Sequence, residues 1–83
     1  MKINHWSYTR KYQIKCVFDL FPDTVVVFRK INGYYFINSM KGLDPLSLPT
    51  RKSYVQMEYL INKELDTLPA YKNRRALQDK RSS

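Results

Sequence analysis

Residues 24–39, Thr24-Val25-Val26-Val27-Phe28-Arg29-Lys30-Ile31-Asn32-Gly33-Tyr34-Tyr35-Phe36-Ile37-Asn38-Ser39, read as a β-hairpin. Both flanks are β-branched or aromatic, side chains that pack well on a pleated surface. Asn32-Gly33 tolerates positive φ and suits a tight two-residue turn. With that turn the register follows by counting: Ile31 opposes Tyr34, Lys30 opposes Tyr35, Arg29 opposes Phe36 and Phe28 opposes Ile37. One face then carries Val25, Val27, Arg29, Ile31, Tyr34, Phe36 and Asn38. The other carries Val26, Phe28, Lys30, Tyr35, Ile37 and Ser39. Neither face is plainly polar, so either both are covered or one is an open apolar and aromatic surface with a basic residue on it. An open surface of that kind marks a binding site.

Upstream, Tyr12-Gln13-Ile14-Lys15-Cys16-Val17-Phe18 alternates with Tyr12, Ile14, Cys16 and Phe18 on one side, the pattern of a half-buried strand. Phe21-Pro22-Asp23 interrupts it. Downstream, the loop 40–49 holds Gly42, Asp44, Pro45 and Pro49, and Ser47 or Thr50 is placed to cap a helix. From Thr50 to Leu68 the apolar positions Tyr54, Met57, Ile61, Leu65 and Leu68 recur at helical spacing, and Pro69 ends the run. The expected fold is therefore α+β: a three-stranded antiparallel sheet, β-β-β, followed by one amphipathic helix packed on one face, with a basic C-terminal tail or short helix. In domain terms this is a basic and aromatic arm over 1–11, a β-β-β-α body over 12–68 and a basic arm over 69–83.

The chain's 83 residues make one domain with one thin core, too small for a deep, walled catalytic cavity. Its formal charge of +8 is unevenly placed. Lys2, Arg10, Lys11 and Lys15 stand before residue 19 with no acid among them, and Lys72, Arg74, Arg75, Lys80 and Arg81 face only Asp79 after residue 69. The middle is neutral. Dense positive charge beside aromatic side chains is the combination used on nucleic acids, cations for phosphates and rings for stacking. The residues expected to carry such contacts are Arg10, Lys11, Arg29, Lys30, Tyr34, Lys72, Arg74 and Arg75.

Chemistry beyond binding finds little support. His5 is the only histidine, Asp19 and Asp23 lack a third oxygen ligand, and no phosphate-binding loop, zinc spacing or nucleophile signature is present. Neither a cofactor nor a metal is expected. Single Cys16 cannot close an intrachain disulfide, no apolar run is long enough to cross a bilayer, and residues 1–10 lack a leader-like apolar segment. A reducing, cytoplasmic setting without membrane contact follows as the expectation. The bias toward Lys, Tyr, Asn and Ile is that of an AT-rich coding source such as a phage or plasmid.

In layout, three strands then a helix, the chain is similar to the sheet-reading DNA-binding domains at the start of some tyrosine recombinases and in certain plant transcription factors. The likeness is one of topology, without a shared residue motif. It implies that the sheet face opposite the helix enters the major groove, with Arg29, Lys30, Tyr34 or Tyr35 near base edges and both arms on phosphates. The expected function is a non-enzymatic nucleic-acid-binding protein, a phage or plasmid accessory factor in type. Its first rival is an inhibitor or adaptor that docks on a larger host enzyme through the open sheet face or the Tyr59 side of the helix. A small basic ribonuclease comes last. A homodimer through an edge strand fits either binding role, because an open sheet leaves backbone groups unpaired.

Overall fold

The structure, a computed structural model, describes residues 1–73. Strands β1 (Ile3–Arg10), β2 (Gln13–Phe18), β3 (Phe21–Ile31) and β4 (Tyr34–Lys41) precede helix α1 (Arg51–Glu64). The strands form one antiparallel meander in the order β1-β2-β3-β4. The class is α+β as expected, but the sheet has four strands and not three. The additional strand is the segment expected as an arm. Its in-facing residues Ile3, Trp6 and Tyr8 break strict alternation, because register shifts fall between Ile3 and His5 and between Tyr8 and Arg10. Each shift is a β-bulge, which adds a residue and displaces the period.

Two further expectations about strand ends are corrected. Tyr12 does not begin a strand: it sits in the β1–β2 turn with φ 65 and is 54% exposed. Phe21-Pro22 does not interrupt the sheet either. The turn is Asp19-Leu20, and Pro22 lies near the start of β3, where a missing N–H is tolerated. The Asn32-Gly33 hairpin forms with φ 60 and 86, and Ile31↔Tyr34, Lys30↔Tyr35, Arg29↔Phe36 and Phe28↔Ile37 pair as counted. Beyond them the register shifts, so that Val27 pairs with Ser39 and Val26 with Met40. Ser39 therefore shares the face of Val27, contrary to the simple count, and Met40 turns inward.

One face of the sheet is sealed by α1. Met57 and Ile61 are wholly buried against Ile14, Cys16, Phe18, Val26, Phe28 and Tyr35, with Trp6, Ile37, Leu60 and Leu65 at the margin. Each fully buried large apolar side chain contributes roughly 1.5–3 kcal/mol. Tyr54, expected in the buried stripe, lies at its rim and is 36% exposed. Thr50 caps the helix, its Oγ1 accepting from the Ser53 N–H at 3.2 Å.

The helix stops four residues before Leu68, the end read from the sequence. Asp66 takes the left-handed conformation at φ 59, the Thr67 N–H donates to the Asn62 carbonyl at 2.8 Å and the Asp66 N–H to Lys63 at 3.4 Å. That is a Schellman termination. Residues 68–73 are helical again, with Pro69 in the first turn, where its lack of an N–H costs nothing. Pro69 thus helps to open a helical stretch and does not close one.

β4 lies at an edge of the sheet, yet at Tyr35 and Ile37 its outward backbone is bonded to α1. Asn62, wholly buried, accepts from the Tyr35 N–H at 2.8 Å through Oδ1 and donates to the Tyr35 carbonyl at 2.8 Å through Nδ2. The side-chain amide thus takes the place of a neighbouring strand's peptide group. Nδ2 also donates to the Glu58 carbonyl at 2.7 Å, and Thr67 Oγ1 donates to Oδ1 at 2.7 Å. One turn earlier, Glu58 Oε2 accepts from the Ile37 N–H at 3.0 Å, and Oε1 accepts from the Tyr71 hydroxyl at 3.1 Å.

Candidate nucleic-acid interface

The face of the sheet away from α1 is assembled by cross-strand register. Arg10 pairs with Gln13, Gln13 with Arg29 and Arg29 with Phe36, so these residues form one row across all four strands. The next row is Ser7, Lys15, Val27 and Ser39, and beyond it Val25 pairs with Lys41. Arg10, Lys15, Arg29 and Lys41 are exposed, Val25, Val27 and Phe36 are half-buried, and no carboxylate stands in these rows. Neighbouring strands are roughly 4.8 Å apart, which puts the Arg10 and Arg29 backbones about 10 Å from one another.

Two turns project from the same end of this meander. The Lys30 N–H donates to the Tyr12 carbonyl at 2.8 Å and ties the β1–β2 turn to the end of β3. Lys11, in that turn, holds its Nζ 5.2 Å from the Tyr12 ring centre. The helical stretch 68–73 packs against the other turn: a Cβ on Gly33 would meet the Ala70 Cβ at 3.7 Å, and the Tyr71 ring stands edge-on to Tyr34 at 6.2 Å. Lys72 of that stretch is exposed.

The residues read from the sequence therefore divide as follows. Arg10 and Arg29 share the bare face, where Tyr34 is half-buried opposite Ile31. Lys11 and Lys72 flank the hairpin end. Lys30, next in sequence to Arg29, points to the helix side, and its Nζ lies 5.9 Å from the ring centre of the buried Tyr35. Burial, with the Tyr8 hydroxyl beside it, pushes the Tyr35 phenol above its ordinary pKa. Arg74 and Arg75 lie outside the described residues. Lys15 and Lys41 join the bare face without having been singled out. Alternation along β2 put Lys15 opposite Ile14 and Cys16, but only the pairing with Ser7 and Val27 places it beside the two arginines.

Other candidate groups are occupied structurally. Asp19 Oδ1 accepts from the Lys2 N–H at 2.8 Å, and this bond holds its carboxyl below the usual carboxylate range. Burial pushes the Cys16 thiol up to about 12. His5 is exposed and pairs with Val17. Trp6 is half-buried, edge-on to Tyr8 at 5.4 Å.

These features define a small α+β domain: a four-stranded antiparallel sheet sealed by a helix on one side, its other side uncovered among the described residues and lined with cations. Residues 2–76 match the family model described as "Uncharacterised protein YuzH", and the chain belongs to that family. No curated protein and no solved structure matches it. Among the described residues, no helix is long and apolar enough to cross a membrane.

Proposed function

We propose that this chain is a small, non-enzymatic nucleic-acid-binding protein that lays the hairpin end of its bare sheet face on a phosphate backbone. The observation that carries the reading is the row Arg10, Gln13, Arg29 and Phe36, which sets two exposed guanidinium groups beside an amide and an aromatic ring. Guanidinium groups pair bidentately with phosphate oxygens, and a ring on an open sheet offers a platform on which bases stack. Lys11 and Lys72 extend the cationic end on either side.

The test is fluorescence anisotropy with labelled duplex DNA, single-stranded DNA and RNA over a salt series. For duplex DNA, each neutralised phosphate contributes roughly −0.9 to the slope of log affinity against log salt. The Arg10→Ala/Arg29→Ala variant is expected to flatten that slope by about 1.8, while Lys63→Ala on α1 leaves it unchanged. Absence of binding to all three probes at low salt, or an unaltered slope in the double variant, refutes the reading.

A second reading rests on the outer side of α1, where Arg51, Lys52, Val55, Gln56 and Tyr59 line a shallow groove. A basic groove with an exposed tyrosine suits an acidic protein surface, as an inhibitor or adaptor would require. Tyr59→Ala would abolish such docking and leave nucleic-acid binding intact.

A further inference from the structure

The two edges of the sheet are unlike. Along β4 the outward N–H and C=O of Tyr35 are engaged by Asn62, and the outward N–H of Ile37 by Glu58. Along β1, among the described residues, nothing closes the outer edge. Which groups are unpaired there follows from the alternation of an antiparallel ladder. The Lys30 N–H bonds Tyr12, so even-numbered residues of β2 face β3 and odd-numbered ones face β1. Between its two register shifts β1 pairs regularly, His5↔Val17, Trp6↔Cys16, Ser7↔Lys15 and Tyr8↔Ile14. Ser7 and His5 therefore bond β2, and Trp6 and Tyr8 turn their N–H and C=O groups outward. The same alternation carried across to β4 leaves Tyr35 and Ile37 facing out, as their bonds to α1 require.

We infer that β1 is the interface for a second copy of this chain, joined antiparallel about a two-fold axis through Ser7. In that register Trp6 of each copy opposes Tyr8 of the other, and each pair exchanges both backbone hydrogen bonds. Aromatic side chains then lie next to one another across the junction, a favourable cross-strand pairing. Ser7 meets its symmetry mate in a close, non-hydrogen-bonded pair, where a small side chain is needed. Arg10 falls opposite Asn4, so no like charges face each other. A register centred on Trp6 brings Arg10 opposite Lys2, and one centred on Tyr8 shortens the overlap. Charge and side-chain size thus select the axis through Ser7. An edge strand normally carries a protective lysine, proline or inward charge, and residues 3–9 carry no Lys, Arg, Asp, Glu or Pro.

The occupant is a copy of the chain itself because the strand is complementary to itself in this register, and a two-fold contact uses one patch on both partners. The inference does not depend on the ligand of the bare face. In the dimer two such faces merge into one eight-stranded surface with a pair of Arg10/Arg29 rows related by the axis.

The test combines analytical ultracentrifugation with cysteine cross-linking. The wild-type chain is expected to reach twice its 10.0 kDa mass as concentration rises, and to do so more readily at high salt, which screens the repulsion between two +8 chains. Ser7→Lys sets like charges across the axis and is expected to stay monomeric with an unchanged circular dichroism spectrum. Ser7→Cys is expected to form an interchain disulfide quantitatively under mild oxidant, since the facing Cα atoms lie within disulfide range. Lys63→Cys is the control that does not, and Cys16, wholly buried, does not compete. A wild-type chain that stays monomeric throughout overturns the proposal. So does a dimer that survives Ser7→Lys, or one in which Ser7→Cys fails to cross-link. None of these results bears on whether the monomer binds nucleic acid.

Discussion

Replacing Asn62 by Ala tests whether the amide takes the place of a fifth strand. The substitution removes both the acceptor for the Tyr35 N–H and the donor for its carbonyl, each at 2.8 Å, from a site where Tyr35 is 4% exposed. Thr67 keeps an alternative, since its hydroxyl lies 3.3 Å from the Asn62 backbone carbonyl. The Glu58 carbonyl also retains its intrahelical partner. Two buried backbone groups are thus orphaned, at about 1–3 kcal/mol each when left unsatisfied. A loss of about 2–6 kcal/mol is expected, against a total of roughly 4–12 kcal/mol for a domain of this length. In thermal melts the lower bound alone corresponds to a fall of roughly 8–16 °C.

Asn62→Asp separates the hydrogen-bond account from simple loss of packing. It conserves volume and keeps an acceptor for the Tyr35 N–H, but turns a carboxylate oxygen toward the Tyr35 and Glu58 carbonyls. At neutral pH it is expected to destabilise at least as much as Ala. It should recover in part on acidification, when a protonated carboxyl again donates. The most local readout is amide hydrogen exchange by NMR. In the wild type the Tyr35 amide is expected to be protected although it lies on an edge strand, and in Asn62→Ala to exchange faster while Phe36 stays protected. A loss below about 1 kcal/mol, the net worth of one ordinary hydrogen bond, or an unchanged Tyr35 exchange rate, refutes the reasoning.

Gly42→Ala should cost at least about 2 kcal/mol, because a left-handed φ of 78 and a clash of the new Cβ with the Asp23 carbonyl oxygen act together. Gly33→Ala, where the new Cβ meets only Ala70 at an ordinary 3.7 Å, should cost about 1 kcal/mol, and urea unfolding of the two variants compares them. Cys16, with its thiol near 12 and no exposure, should resist alkylation at mild alkaline pH and react at the rate of unfolding, measured by mass spectrometry in increasing urea. Asp19 has a folded pKa below its unfolded one, so its contribution is complete above the ordinary carboxylate pKa and disappears as pH falls through the lowered value. Melting temperature against pH should therefore show a shallower acid limb in Asp19→Asn than in the wild type.

Much of this architecture is legible in the sequence wherever local chemistry and pairing agree. Asn32-Gly33 accepts the positive φ that a tight turn needs, and four successive cross-strand pairs follow from it by counting. Legibility fails where one residue is added. In β4 the inward residues are Tyr35, Ile37 and Met40, and in β1 they are Ile3, Trp6 and Tyr8; in both, a spacing of three inside a period of two marks the bulge. In β4 the neighbouring turn anchored the strand, so only its end from Asn38 to Lys41 was misplaced, Met40 and Lys41 having been read as loop. In β1 no such anchor exists, and residues 1–11 read as a basic and aromatic arm.

The site divides along the same line. Arg10 and Arg29 were identifiable as charges near aromatic residues, but their common row depends on β1 pairing with β2 and β2 with β3. Lys30 resembled Arg29 in sequence and lies on the other side, as adjacent residues of a strand must. Asn62 gave no signal at all. A polar residue beside Ile61 on a helix acquires meaning only once a strand edge lies against it, and that contact joins positions 27 residues apart.

The plug that Asn62 and Glu58 set into β4 also limits how far these molecules can stack. Fibrils built by lateral strand addition need a receptive border on both sides of every subunit, so that each newcomer leaves a fresh one behind it. Here the middle of one border, at Tyr35 and Ile37, is already taken by the chain's own helix. Any growth begun at the other therefore ends after a single step, which lets an aromatic, β-branched sheet remain open on one side without seeding a polymer.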